Sequence, residues 1–171
     1  MNKKLILVGV SFLWVAVAVG LIASKQHIIR TGKTVLLETV PVDPRDFLRG
    51  DYVVLRYEIS ALDLQKIESE KPRYRRGEKV YVKLEPGLRF WEARAVKTKK
   101  PASDSGVYIK AKVKYCYNKK LTLNYGIESY FLPEGEGKDI EKHMRGNKSS
   151  VEVEALVDTS GNALIKKVFV P

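Results

Sequence analysis

Residues 5–23 (LILVGVSFLWVAVAVGLIA) run without a single charge, and no other property of the chain restricts its fold as strongly. At 1.5 Å per residue, a helix of that length spans roughly 28 Å, close to a hydrocarbon thickness of about 30 Å. Ala18-Val19-Gly20 has the small-x-small form of a processing site but would interrupt the apolar run. Ala23 has Leu21 three positions before its bond, a poor processing signal, and no cysteine follows in a lipid-attachment setting. The expected division is an uncleaved transmembrane anchor over residues 1–24, a polar linker over 25–32 and one domain over 33–171. Lys3 and Lys4 on one side of the span are nearly balanced by Lys25, Arg30 and Lys33 on the other. A tail of four residues is most simply left in the cytoplasm. The expected location is therefore the cytoplasmic membrane, single-pass, with the C-terminal domain extracytoplasmic.

The chain has 171 residues and a net charge of +11. Lys3 and Lys4 supply two of these charges, which leaves a strongly basic remainder. Such an excess favours anionic surfaces, among them phospholipid headgroups and acidic cell-wall polymers. It is also what a lysine-coated, soluble β surface looks like. A lone cysteine, Cys116, excludes an intramolecular disulfide and a cysteine-based zinc cluster. It sits between two tyrosines in an apolar strand, the setting of a buried and inert thiol.

Most of the domain alternates with a period of two, the pattern of half-buried strands. Residues 34–40 read as the first strand and residues 52–59 as the second. Val80, Val82 and Leu84 share one face, a Pro86-Gly87 turn follows, and residues 90–97 return. Along 107–115, Val107, Ile109, Ala111, Val113 and Tyr115 are expected inward, and Tyr108, Lys110, Lys112 and Lys114 outward. Asn118-Lys119 is a plausible tight turn into a strand over 121–127. Residues 151–157 and 163–170 form a closing hairpin around a 158–162 turn. Residues 61–70 and 139–144 suit short helices. The expected fold is mainly β: an antiparallel barrel or strongly twisted sandwich of about eight strands with two short helices.

The densest local signal is residues 41–59. Pro41 and Pro44 fix φ and withhold two backbone donors, so neither belongs inside a sheet. Gly50 then allows a positive φ, and Asp51 can bond back to nearby amides. A β-branched and aromatic strand begins at Tyr52. Gly50-Asp51-Tyr52-Val53-Val54-Leu55-Arg56-Tyr57 resembles, at every specified position, the motif for which the GDYXXLXY family is named. A second block, Tyr125-Gly-Ile-Glu-Ser-Tyr-Phe-Leu-Pro-Glu-Gly-Glu-Gly137, is similar to that family's other recurrent stretch. The resemblance implies a bacterial protein with one N-terminal membrane segment and a soluble domain of no assigned activity. It also implies encoding beside multi-span membrane proteins, which become expected partners. It supplies no catalytic residues.

Candidate chemistry is sparse. Asp43, Asp46 and Asp51 stand among Arg45 and Arg49. A hard cation such as calcium needs about six oxygens, so this irregular set fits internal ion pairs better, Arg45 with Asp51 among them. Tyr52, Leu55 and Tyr57 complete the motif as structural or docking residues. Tyr130, Pro133, Glu134, Gly135 and Glu136 form the second block, whose two carboxylates fit an exposed, glycine-flanked loop that caps a helix start. Arg73, Arg75 and Arg76 interleave with Tyr74, and Lys110, Lys112 and Lys114 form a cationic ladder; both could hold anions. The lysines also blunt an exposed sheet edge. His27 and His143 lack metal-ligand neighbours, and no phosphate-binding loop, dinucleotide fingerprint or nucleophile elbow is present. No catalytic, metal or cofactor site is expected, and nucleic acid is disfavoured. A signal-peptidase-like Ser–Lys hydrolase would need its serine just past the membrane segment, where only Ser24 stands in the wrong context. The expected function is a membrane-tethered, non-enzymatic interaction component of a bacterial envelope complex. The alternative is a binder of anionic cell-wall polymer or lipid headgroups.

Overall fold

The computed structural model describes residues 3–40, 52–101, 104–131 and 151–169. Helix α1 (Lys3–Thr31) is one unbroken rod. Within it Leu7–Thr31 is long and apolar enough to cross a membrane. Phe12 and Trp14 are at least 70% exposed, and apolar side chains cover every side of the helix. The segment expected as a polar linker is helical too. Ser24 donates its hydroxyl to the Leu21 carbonyl at 2.7 Å, and Thr31 donates to His27 at 2.8 Å. These short polar side chains bond one turn back and leave the helical ladder intact.

Eleven strands follow among the described residues. β1 (Lys33–Glu38) pairs antiparallel with β10 (Glu152–Val157), which pairs with β11 (Ala163–Phe169). β2 (Tyr52–Val54) pairs with β9 (Ser129–Phe131) as a separate ribbon. The largest sheet has six strands: β3 (Ala61–Asp63), β8 (Lys120–Asn124), β7 (Val107–Tyr117), β5 (Lys79–Pro86), β6 (Trp91–Lys97) and β4 (Glu68–Ser69), in that spatial order. Its two edge strands, β3 and β4, are consecutive in the chain, joined by residues 64–67. That short link curls the sheet into a half-barrel.

The expected mainly β class is present, and the antiparallel barrel or twisted sandwich of about eight strands with two short helices is corrected in three respects. β4 runs parallel to β6, so the sheet is mixed; β3 and β4 are not hydrogen-bonded neighbours, so it stays open; and α1 is the single α-helix among the described residues, joined by one 3₁₀ turn at Glu58–Ser60. Residues 61–70 are not helical. Leu62 is buried opposite Leu121, and Glu68 and Ser69 pair with Ala95 and Val96; pairing with distant strands overrides an ambiguous local pattern. The expected helix at 139–144 lies outside the described residues. The strand expected to run to Ile59 stops at Val54, after which Tyr57 bridges Thr39 and the 3₁₀ turn follows.

The sheets close over one hydrophobic cluster that includes Val35, Leu37, Leu55, Tyr57, Val82, Ile109, Val113, Leu121 and Val153. β5 and β8 alternate as their sequences require. On β7 the alternation breaks twice. A register shift between Val113 and Tyr115 turns Tyr115 outward, 51% exposed, and brings Cys116 against the core. A bulge adds one residue to one strand and reverses the facing of everything after it. Tyr108, expected outward, is buried and gives its hydroxyl to Asp104 at 2.6 Å.

Candidate functional site

The two motif blocks, far apart in sequence, form one structure. Tyr52 lies opposite Phe131, Val53 opposite Tyr130 and Val54 opposite Ser129. The Leu55 amide extends the ladder to the Glu128 carbonyl at 2.7 Å. Leu55 and Tyr57 enter the core, 2% and 1% exposed. The Tyr57 hydroxyl donates to the Ile127 carbonyl at 2.6 Å, and the Tyr125 hydroxyl donates to the Ile59 carbonyl at 2.6 Å. Glu128 folds back so that its carboxylate accepts the amides of Tyr125 and Gly126. Burial first, and then the Glu128 charge, hold both phenols far above the ordinary tyrosine range. Two neutral hydroxyls pinned to main-chain carbonyls are cross-braces; in that state they offer neither a nucleophile nor a proton acceptor.

Of the other motif residues, Asp43, Arg45, Asp46, Arg49, Gly50 and Asp51 lie outside the described residues, as do Pro133, Glu134, Gly135 and Glu136. Tyr130 is half-buried against the core. Sequence reasoning missed Tyr125 and Glu128 as partners of the motif. Their signal was weak: a tyrosine opening the second block and a carboxylate three positions on.

The basic residues are brought together only in part. The Gly77 amide donates to Val113 at 2.8 Å and the Val113 amide to Glu78 at 2.9 Å, which fastens the loop carrying Arg75 and Arg76 beside Lys112. Arg73, Arg75 and Arg76 are exposed. Glu78 sits among them, paired with Lys71 at 2.6 Å and accepting the Arg75 amide at 3.0 Å, which dilutes the positive charge. Lys110 leaves the ladder: its ammonium lies 2.8 Å from Asn162 Oδ1 and its backbone amide bonds Gly161 at 2.7 Å. Lys114 lies within the β7 bulge.

Two further arrangements stand out. A groove of about 630 Å³ follows the open side of the half-barrel, with Leu62 and Ile67 on one wall and Trp91 and Ala93 on the other. There β6 has β5 on one side, while β4 covers only Ala95 and Val96 on the other. Such an edge can accept an extended chain as an added strand. At the other arrangement α1 meets the domain. Ile28 is 5% exposed, the Gly32 amide closes the helix on the Ile28 carbonyl at 2.8 Å, and an added Cβ at Gly32 would lie 3.0 Å from Leu156 Cβ. The end of the helix is seated on the domain. Ser24, the serine a Ser–Lys hydrolase would require, is engaged with the Leu21 carbonyl. Among the described residues no group of three His, Cys, Asp or Glu side chains is arranged to hold a metal.

Comparison with curated proteins and with solved structures finds no match. A family model, the GDYXXLXY protein model, matches residues 14–168 and so takes in both motif blocks, the end of α1 and nearly all of the β domain. The chain belongs to the GDYXXLXY protein family.

Proposed function

We propose that the protein is a membrane-tethered, non-catalytic docking module that presents its β domain to a multi-span membrane protein of the bacterial envelope. The observation that supports this reading most is the joint. An anchor that only confines a domain to a membrane works through a loose linker. Here the helix runs through Thr31 and its last turn is packed into the fold by Ile28 and Gly32. A rigid mount fixes both the height and the rotation of the domain, which matters when a defined face must meet a defined partner. Preorganisation of that kind lowers the entropic cost of association. The motif tyrosines add to the reading, since their hydroxyls brace the main chain. In this account the β domain stands outside the cytoplasm.

The test is an insertion of six glycine and serine residues between Thr31 and Gly32 in the full chain. Membrane retention should be unchanged, while the partner captured by crosslinking in native membranes should be lost. Recovery of the same crosslinked partner at wild-type yield would refute the rigid-mount reading.

A further inference from the structure

Beside the joint lies a second cavity, of about 560 Å³, between α1 and the 158–162 turn. Ser24, Lys25 and His27 line it from the helix; Lys110, Ser160 and Asn162 line it from the domain. Its position is set by the sequence. The uncharged run ends at Ala23, and Ser24 to Ile28 rise by about 6 Å at 1.5 Å per residue. A bilayer of roughly 40–45 Å with a core of about 30 Å leaves some 5–8 Å of headgroup on each side. The cavity therefore opens at headgroup height, given the reading that α1 spans the bilayer.

Its charge is positive. Two ammonium groups, Lys25 and Lys110, outnumber Asp158, which among the described residues is the one carboxylate that borders it and whose oxygens are directed into the turn. Oδ1 accepts the Ser160 and Asn162 amides, each at 2.8 Å, and Oδ2 accepts the Asn162 side-chain amide at 2.9 Å. Asp158 is 7% exposed. Lys110 bonds a neutral amide oxygen, so its charge is not cancelled there. Lys25 makes no ion pair among the described residues and is exposed. The turn itself is held rigidly over β7 by Gly161, at φ +84, where a Cβ would lie 3.0 Å from the Tyr108 carbonyl oxygen. One lysine from the helix and one from the domain thus line a common polar space beside the packed joint. Charge-assisted bonds to phosphate oxygens are the strongest use of such a pair.

We infer that this cavity binds the phosphate of an anionic phospholipid headgroup, clamped between Lys25 and Lys110. The lipid would lock the domain at the bilayer surface and reinforce the mount. A zwitterionic headgroup carries its own cation, which the two lysines repel, so phosphatidylglycerol should be preferred over phosphatidylcholine. Free phosphate shares the chemistry but not the acyl chains that hold a lipid at this height.

The full chain, purified in detergent, is presented with phosphatidylglycerol, phosphatidylcholine or inorganic phosphate, and retained molecules are read by native mass spectrometry. One phosphatidylglycerol per chain is expected, with phosphatidylcholine retained about tenfold less. The double variant Lys25→Gln/Lys110→Gln should lose about a hundredfold in retention, about tenfold for each lost charge-assisted bond. Lys25→Arg/Lys110→Arg should restore it, and Lys112→Gln/Lys114→Gln, the same charge change outside the cavity, should leave it unchanged. Equal retention by wild type and the Lys25→Gln/Lys110→Gln variant overturns the inference. So does displacement of the lipid by phosphate at equal concentration. Alkaline extraction of membranes separates this from the tether reading: a chain that stays in the pellet yet ignores the Gln substitutions refutes the lipid site alone.

Discussion

Tyr57 and Tyr125 cross-brace the domain: each donates its hydroxyl to a carbonyl beside the other, at 2.6 Å, and their rings meet edge to face at 6.5 Å and 82°. One comes from the motif strand and the other opens the second block. The family signature is therefore read most directly as a fastening between two distant segments.

Removing either hydroxyl while keeping its ring tests the fastening. Tyr57→Phe and Tyr125→Phe each leave a buried carbonyl short of a donor, at a cost of about 1–2 kcal/mol. The two losses should not add, because both bonds hold the same ribbon in register. Urea denaturation of the full chain in detergent measures this. An unchanged midpoint in both variants would contradict it.

Asp104 predicts an acid limb in the stability profile. The Tyr108 hydroxyl at 2.6 Å, the Gly106 amide at 2.8 Å and the Lys83 ammonium at 3.0 Å, in that order of effect, hold its pKa well below the ordinary range. A carboxylate with a lowered folded pKa stabilises fully above its unfolded value of about 4. As pH falls from there towards the folded value, the unfolded chain takes up the proton first and the stabilisation disappears. Asp104→Asn should lower the urea midpoint at pH 7 and flatten the decline below pH 4. Parallel profiles for wild type and variant would refute the assignment.

The hairpin between β7 and β8 carries a correctable strain. Asn118 and Lys119 have φ of 47° and 61°, the left-handed pair that a two-residue turn demands. Asparagine tolerates that region and lysine does not. Lys119→Gly should stabilise the protein by about 0.5–1 kcal/mol, since relief of strain exceeds the entropy given to the unfolded chain. A lower melting temperature would contradict this.

Where burial on one face decided the structure, the sequence could be read directly. β5 and β8 alternate, and Asn118-Lys119 announces its own turn. Where distant partners decided, it could not. Leu62, Leu64 and Ile67 suit a helix as well as strands, and only the pairing of residues 61–63 with β8 and of 68–69 with β6 settles the segment. The β7 bulge moved Tyr115 outward without any local mark. The site followed the same rule. Leu55 and Tyr57 were legible as motif residues, but their partners Glu128 and Ile127 lie across a long-range pairing that no single stretch encodes. The helical course of residues 24–31 is hidden because polar side chains resemble a break, while Ser24 and Thr31 bond back to carbonyls of their own helix.

The central claim is that α1 and the β domain form one rigid body. Pulsed electron resonance between nitroxides at Ala18→Cys and Arg73→Cys, in the full chain with Cys116→Ser and in lipid vesicles, measures it directly. Position 18 lies about 20 Å along the helix from Gly32, so any bending at the joint is magnified there. A single narrow distance distribution is expected; a broad one would contradict the account.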